Sequence, residues 1–443
     1  MQTLSITFKN HPLFEDQMID LNESEIILLI GDNGIGKSLF VEECCLRGGR
    51  CATEVTPGND FPEAQPNTEI TLSFSEEDIK SFNEYLLKEK INIKIDTPTT
   101  ITFKNNNKNG NLDFEVNNST YSLPNHPKVF FNNFFHEISS NNMYEDNSAY
   151  ENFGSGFILR RSYMSKDPIE KLKEHIEQHP NPEEDKRYII DSIKTLSGID
   201  LSRFVNAEDN AIGHAKTYSA GEFQIAMNSF YLALALSETK ESKWLLIEEP
   251  ENFLNPKLQK EYIERILYAG FSKRKTQIQK FITSHSPYVV QSIFNYEKNN
   301  SKLKILRFNK KEDGKVCISD VKLESATFNE INYLAFDFPT PEFHNELYGD
   351  LQEKAIEEKK NNGYEEKFDK WLVEKLKTKS LYTWKEIKKD GSIKGNSRTI
   401  QTYIRNSIHH PENKKNQPYS EQDLKLSIES MINLRRQLEE TFA

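Results

Sequence analysis

A run of five apolar residues, Ile26-Ile27-Leu28-Leu29-Ile30, leads straight into Gly31-Asp32-Asn33-Gly34-Ile35-Gly36-Lys37-Ser38. The octapeptide fits G-x-x-x-x-G-K-[ST] at every fixed position, and a helix pattern (Leu39, Phe40, Val41) follows it. An apolar strand on one side and a helix on the other is the setting in which such a loop wraps a phosphate. The backbone amides around Asn33, Gly34 and Gly36 must then point inward, through a turn that glycine makes without a Cβ clash. Lys37 supplies a point charge for the β and γ oxygens, and the Ser38 hydroxyl is placed to ligate Mg²⁺. The other reading, a Gly-rich turn that holds no nucleotide, sits poorly with the flanking strand and helix. The expected class is therefore α/β, a P-loop NTPase, with ATP and Mg²⁺ as the ligands to look for.

The rest of the composition sets limits. With 443 residues, 36% hydrophobic and 28% charged, the chain can build two or three globular domains. No apolar run approaches the length of a membrane span, and MQTLSITFKNHPLF lacks the basic-then-apolar order of a secretory leader, so a cytoplasmic location without a membrane partner is expected. Cys44, Cys45, Cys51 and Cys317 form no CxxC pair and have no His at ligand spacing, which argues against a zinc site or a disulfide framework. A net charge of −11 argues against a surface coated with nucleic acid. Residues 367–406 nevertheless carry nine Lys and two Arg against four acidic side chains. That local excess points to a nucleic-acid or acidic partner, with a solvated helical face as the alternative.

Along the chain, LSITFKN and QMIDLNESEIILLI read as short strands feeding the P-loop, whose helix runs to about Leu46. Glu69 to Phe74 reads as another strand, and Ser75 opens a capping pattern before a helix reaching about Lys90. The Asn-rich stretch 105–120 is expected as a hairpin tip or loop, and Lys128 to Phe131 as a buried strand. Helical spacing recurs at Ile169 to Gln178 and Glu183 to Leu196, with Pro180 and Pro182 between them. The distance from the P-loop helix to the next motif is too long for one loop. The expected organisation is thus a core of residues 1–50 and 200–325, an insertion subdomain over 51–199, and a helical C-terminal domain over 326–443.

Three further stretches carry chemistry. Tyr218-Ser219-Ala220-Gly221-Glu222-Phe223-Gln224 precedes a helix of apolar and small residues. Trp244-Leu245-Leu246-Ile247 is a strand that ends in Glu248-Glu249-Pro250-Glu251, continued by Asn252-Phe253-Leu254-Asn255-Pro256. Lys280-Phe281-Ile282-Thr283-Ser284-His285-Ser286-Pro287 is a strand that delivers a histidine at its end. A strand end can present one carboxylate to a Mg²⁺ shell and its neighbour to an attacking water, and the family resemblance given next implies that Glu248 takes the metal and Glu249 the water.

In this order and spacing the chain resembles the ABC-type ATPases, within the wider AAA grouping, and in particular the branch shared by SMC, RecF and overcoming-lysogenisation-defect proteins. The resemblance covers the first 50 residues and about 217–310. It implies that Ser219, Gly221 and Glu222 lie in a signature loop, that Glu248-Glu249 end the Walker B strand, and that Leu254-Asn255-Pro256 form the D-loop. It makes His285 the switch histidine, able to bond a γ-phosphate. The family more often has Asp at the position of Glu248, so a metal contact through water is open there. Val129 to Glu137 falls where the family has its Q-loop, with Asn132 or Asn133 in place of the glutamine. In such proteins the signature Ser and Gly close on ATP held by the partner subunit, which implies a homodimer or higher homo-oligomer with composite ATP sites.

The C-terminal part has no apolar strand ending in Glu followed by Asp-x-Asp, as a Toprim nuclease domain would need. It does have Arg405-Asn406-Ser407-Ile408-His409-His410-Pro411, which resembles the R-x(4-6)-H motif of HEPN domains, with Arg405 and His410 at the matching positions. A catalytic role against RNA and a structural role are both open for that pair. The segment is also similar to ATPases of bacterial anti-phage systems such as PARIS and Septu, which keep a separate effector protein under control. The resemblance thus implies a regulatory ATPase of that kind. An ATPase-gated ribonuclease like the anticodon nucleases is the alternative, and a RecF-like repair ATPase a second one, disfavoured by the lack of long heptad arms.

Overall fold

The computed structural model describes residues 1–46, 67–139 and 242–442, apart from short stretches within them, together with Asp191 and Lys194. The chain divides into two units, Met1–Lys322 and Leu323–Ala443.

Among the described residues the first unit contains two six-stranded sheets. One is antiparallel and runs β2-β1-β4-β5-β6-β7, built from β1 (Gln2–Lys9), β2 (Gln17–Asp20), β4 (Asn67–Phe74), β5 (Thr99–Asn106), β6 (Leu112–Val116) and β7 (Ser119–Leu123). The strands after residue 66, in the stretch expected as an insertion, thus continue the sheet that the N-terminus begins. The Asn-rich stretch 105–120 is strand at its described residues, 105–106, 112–116 and 119–120, and 107–111 and 117–118, between antiparallel neighbours, lie outside the described residues. Its period-two signal was present in Leu112, Phe114 and Val116, all buried, which alternate with Asp113 and Glu115. Helix α2 (Glu76–Lys88) starts at Ser75, whose hydroxyl accepts from the Asp78 amide while the Asp78 carboxylate accepts from the Ser75 amide. This is the capping box the sequence led us to expect.

The second sheet positions the site. It comprises β3 (Ile26–Ile30), β8 (Phe135–Ser139), β9 (Ser242–Glu248), β10 (Gln277–Ser284), β11 (Leu303–Lys310) and β12 (Val316–Asp320), in the order β12-β11-β3-β10-β9-β8. All neighbouring pairs are parallel except β11 with β12. All five residues of β3 are buried, as expected for a central strand of a parallel sheet covered on both faces. Helices α1 (Lys37–Cys44), α3 (Pro256–Ala269) and α4 (Pro287–Glu297) follow β3, β9 and β10 respectively. Ile30 pairs with Ser284, and Thr283 with Glu248, so the three carboxyl-terminal strand ends are level. In open α/β sheets this edge is where ligands bind.

The strand expected over Lys128 to Phe131 is not found at Phe130 and Phe131, the part of it that lies among the described residues. Phe130 and Phe131 are helical, and β8 begins only at Phe135. An apolar run this short does not distinguish a strand from a helical turn by its period. Packing decides the case: Phe130 lies 5.3 Å from the Phe82 ring, 5.0 Å from Tyr85 and 5.3 Å from Phe134. Of the helices expected at 169–178 and 183–196, only Asp191 and Lys194 fall among the described residues, both helical.

The second unit has α5 (Phe328–Phe336), α6 (Pro341–Glu357), α7 (Glu365–Leu376), α8 (Ile400–His409) and α9 (Glu421–Phe442) around a core that includes Phe343, Leu347, Phe368, Ile404, Ile428 and Met431. It is not helical throughout. Strands β13 (Tyr382–Ile387) and β14 (Ile393–Arg398) form an antiparallel hairpin between α7 and α8, turning at Gly391 with φ +81°. Glycine takes that left-handed conformation without a Cβ clash.

Candidate functional site

The P-loop connects β3 to α1 with three glycines at positive φ: Gly31 at +142°, Gly34 at +72° and Gly36 at +104°. At Gly31 the surroundings also exclude a side chain, and at Gly36 one would have to displace the end of the Leu13 side chain. A Cβ on Gly31 would lie 2.8 Å from the Phe308 carbonyl oxygen, and one on Gly36 would lie 2.5 Å from Leu13 Cδ2. The loop is therefore held in its phosphate-cradle shape by the neighbouring strand and by the 11–14 turn. His11 fixes that turn, because its Nδ1 accepts from the amides of Leu13 (3.1 Å) and Phe14 (3.0 Å) while its ring stacks on Phe14.

Lys37 is buried at the start of α1, and its Nζ donates to the carbonyls of Gly31 (2.8 Å) and Asp32 (2.9 Å). Burial pulls its pKa down, while the carboxylates of Glu249, Asp32, Glu251 and Glu248 oppose that shift. Ser38 Oγ donates to Glu248 Oε1. These two oxygens are the hard donors that the sequence analysis named for the metal, one from the first turn of α1 and the other from the end of β9. Mg²⁺ commonly takes one or two protein oxygens and completes its shell with phosphate and water. The pair fits that ion, and the lack of a three-carboxylate cluster among the described residues does not count against it.

Glu249 leaves β9 at φ +44°, in the left-handed region, and its amide donates to Thr283 O at 3.0 Å. That sharp exit turns its side chain toward His285. Glu249 Oε1 is 3.4 Å from His285 Nε2, and Oε2 accepts from Asn252 Nδ2 at 2.9 Å. The hydrogen bond from His285, joined by the one from Asn252, holds the carboxyl below its ordinary range against the opposing effect of burial. The same His285 Nε2 lies 3.1 Å from Lys37 Nζ. A neutral ring with its proton on Nδ1 accepts from Lys37 there, whereas a ring protonated at Nε2 donates to Glu249, so one nitrogen stands between the P-loop lysine and the strand-end carboxylate.

Sequence reasoning missed Glu251. Its side chain is buried, and its Oε1 accepts from the His285 amide (2.6 Å) and from Ser284 Oγ (3.0 Å). Burial raises its pKa, and the bonds from residues 284 and 285 oppose the rise. The carboxylate ties the turn after β9 to the turn after β10, and so fixes where His285 sits relative to Glu249. The available signal was the third carboxylate in Glu248-Glu249-Pro250-Glu251.

The structure thus brings Gly31, Gly34, Gly36, Lys37, Ser38, Glu248, Glu249 and His285 to one edge of one sheet, with Asn33 in the same loop. Ser219, Gly221 and Glu222 lie outside the described residues, as do Asn132 and Asn133. In the second unit, Arg405 lies on α8, where its Nη1 donates to Asn406 Oδ1 (3.0 Å) and sits 3.8 Å from Glu365 Oε2. His410 follows the helix, with Nδ1 3.2 Å from Glu412 Oε1 and its ring 6.2 Å from Trp384. Burial first, then the charges of Arg405 and His410, lowers the pKa of the neighbouring His409.

A cradle of positive-φ glycines, a lysine, a Ser–Glu oxygen pair, a second glutamate and a histidine, all at the carboxyl edge of a parallel sheet, define an α/β P-loop ATPase architecture. Residues 158–291 match the family model described as an AAA domain, putative AbiEii toxin, Type IV TA system. The match includes Glu248, Glu249 and His285 and begins after the P-loop. No curated protein matches the chain. Among solved structures, the SMC head domain from Thermotoga maritima is 12% identical and covers 73% of this chain and 100% of its own, with a TM-score of 0.42. An Smc head with an extended coiled coil, bound to the C-terminal domain of ScpA from Pyrococcus furiosus, is 14% identical over 73% of this chain and 97% of its own, at 0.41. CbiO1 from Clostridium perfringens, part of an ABC transporter complex, is 10% identical over 72% and 88%, at 0.33.

Proposed function

We propose that the protein binds and hydrolyses ATP with Mg²⁺ and works in the cytoplasm as the regulatory subunit of a bacterial anti-phage defence system. In this reading it controls a separate effector through an ATP-dependent dimer. The observation that carries the ATPase reading is the juxtaposition of Lys37, Glu249 and His285 about one imidazole nitrogen, beside the Ser38–Glu248 oxygen pair. Lys37 and the P-loop amides would hold the phosphates, and Ser38 with Glu248 would hold the metal, whose charge would offset that of the phosphates. Glu249 stays ionised because His285 and Asn252 bond it, so it is ready to orient or deprotonate the attacking water. His285 sits where it can exchange its Lys37 contact for one to the γ-phosphate.

The defence reading is supported by the toxin–antitoxin description of the matched family and by the similarity of the C-terminal segment to phage-defence ATPases. Ser219 and Gly221, as signature residues, would complete the ATP site of a second copy. A nucleic-acid contact at the basic C-terminal region belongs to the same reading. Light scattering tests the dimer: Glu249→Gln with ATP and Mg²⁺ should double in mass, and Lys37→Ala should not. A Glu249→Gln protein that stays monomeric with bound ATP would contradict it. Expression with and without the neighbouring genes tests the effector, since toxicity from this chain alone would oppose a purely regulatory role.

A further inference from the structure

The β13–β14 hairpin has no part in the site above. Its register places Tyr382/Arg398, Trp384/Asn396 and Glu386/Lys394 on one face, and Thr383/Ser397, Lys385/Gly395 and Ile387/Ile393 on the other. The first face is anchored. Trp384 is buried against Tyr403 (5.8 Å between ring centres), and Tyr382 lies 5.4 Å from the same ring. The second face is exposed along its length and ends in the half-exposed pair Ile387 and Ile393. The 410–417 loop is laced to the ribbon at one residue. Lys385 donates its amide to Asn416 Oδ1 (2.7 Å), and its carbonyl accepts from Asn413 Nδ2 (2.7 Å) and Asn416 Nδ2 (3.1 Å).

That lacing gathers Lys385, Lys388, Lys394, Lys414 and Lys415, all exposed, around one rigid ribbon in a chain of net charge −11. The interleaved acids are Glu386, Asp390 and Glu412. Asp390 is engaged by the amide (2.9 Å) and hydroxyl (2.7 Å) of Ser392, and Glu412 by His410. Clustered lysines on a protruding element are the electrostatic footprint of a phosphodiester backbone. The form of nucleic acid follows from shape. Single strands are held by exposed aromatic platforms, and here Trp384 and Tyr403 are turned inward. A-form duplexes close their major groove to side chains, whereas the major groove of B-form DNA admits a two-stranded ribbon.

We propose that the β13–β14 ribbon is a docking element for B-form duplex DNA. Lys385, Lys388, Lys394, Lys414 and Lys415 lie along the phosphates, and the Ile387/Ile393 tip meets apolar groove surface such as thymine methyls. This names the element and the nucleic acid that the general reading leaves open, and it stands apart from ATP chemistry.

The test is fluorescence anisotropy of a labelled random-sequence DNA duplex with the full-length protein, without nucleotide. Failure of the ATPase reading then leaves the result untouched. The wild type should bind with a log K against log salt slope of about −4. The triple variant Lys385→Glu/Lys388→Glu/Lys394→Glu should bind at least ~10-fold more weakly. Lys94→Glu, an exposed lysine of the first unit, should bind as the wild type does. All the substituted side chains are exposed, so unchanged melting curves separate lost binding from lost folding. Duplex binding that is undetectable in moderate salt, equal in the triple variant, or weaker than binding to single-stranded or duplex RNA would overturn the proposal.

Discussion

Glu251 and Gly36 show how single residues hold this edge of the sheet in shape, Glu251 from outside the phosphate cradle and Gly36 from within it. Glu251 grips the backbone at His285, so its loss should disturb the placement of the histidine and leave the phosphate cradle intact. Glu251→Ala should lower kcat about tenfold with nucleotide affinity unchanged, and Glu251→Gln, which keeps an oxygen for the 284 and 285 donors, should recover most of it. Steady-state kinetics with the KM and kcat effects separated is the check. Equal losses in both variants would mean that the charge, rather than the grip, is what counts. Gly36 combines φ +104° with a Cβ position 2.5 Å from Leu13. Gly36→Ala should therefore cost on the order of 1–3 kcal/mol, read as a lower denaturation midpoint, and should weaken ATP binding as well.

Among the elements, the P-loop strand, its helix, the β9 carboxylates and the β10 histidine were legible because each is a local pattern of period, turn chemistry and charge. The order β10-β3-β11 was not, since pairing of Ile26 with Lys280 and with Leu303 leaves no mark in any short window. The capping box at Ser75 was visible as a spacing, but the turn at Phe130-Phe131 was not, because an apolar run this short reads the same as strand or helix until its packing is known. The hairpin was hidden by lysines that suited a solvated helix equally well. At this scale the second unit also carries a buried charge knot. Arg435 Nη2 bonds Glu330 (3.2 Å) and Glu324 (2.6 Å), while Glu330 accepts from the amides of Ser325 (2.9 Å) and Ala326 (2.7 Å), tying the approach to α5 onto α9. Arg435→Met should cost about 3–5 kcal/mol by stranding Glu330, and adding Glu330→Gln should return part of that, as measured by urea unfolding. An Arg435→Met protein of wild-type stability would show that the knot is dispensable.

For the molecule as a whole, acid is the informative stress. Burial keeps His11 neutral down to about 4 and His344 down to about 3 in the fold. The unfolded chain takes up those protons near the ordinary 6.5, so unfolding gains protons in acid. The stabilisation is fully present above 6.5 and drains away as pH falls toward 4 and 3. Melting temperatures should drop between pH 7 and 5, less steeply in His344→Gln, and parallel slopes would exclude His344 as a source. The central claim, however, is that the P-loop and the β9 and β10 ends form one hydrolytic site. It is tested most directly by phosphate release from ATP and Mg²⁺, measured for wild type and Glu249→Gln on samples whose ATP binding is titrated in parallel. The account predicts turnover in the wild type, a loss of about 10²- to 10⁴-fold in Glu249→Gln, and equal ATP affinity in both. Undiminished turnover in Glu249→Gln, or no ATP binding by the wild type, would contradict it.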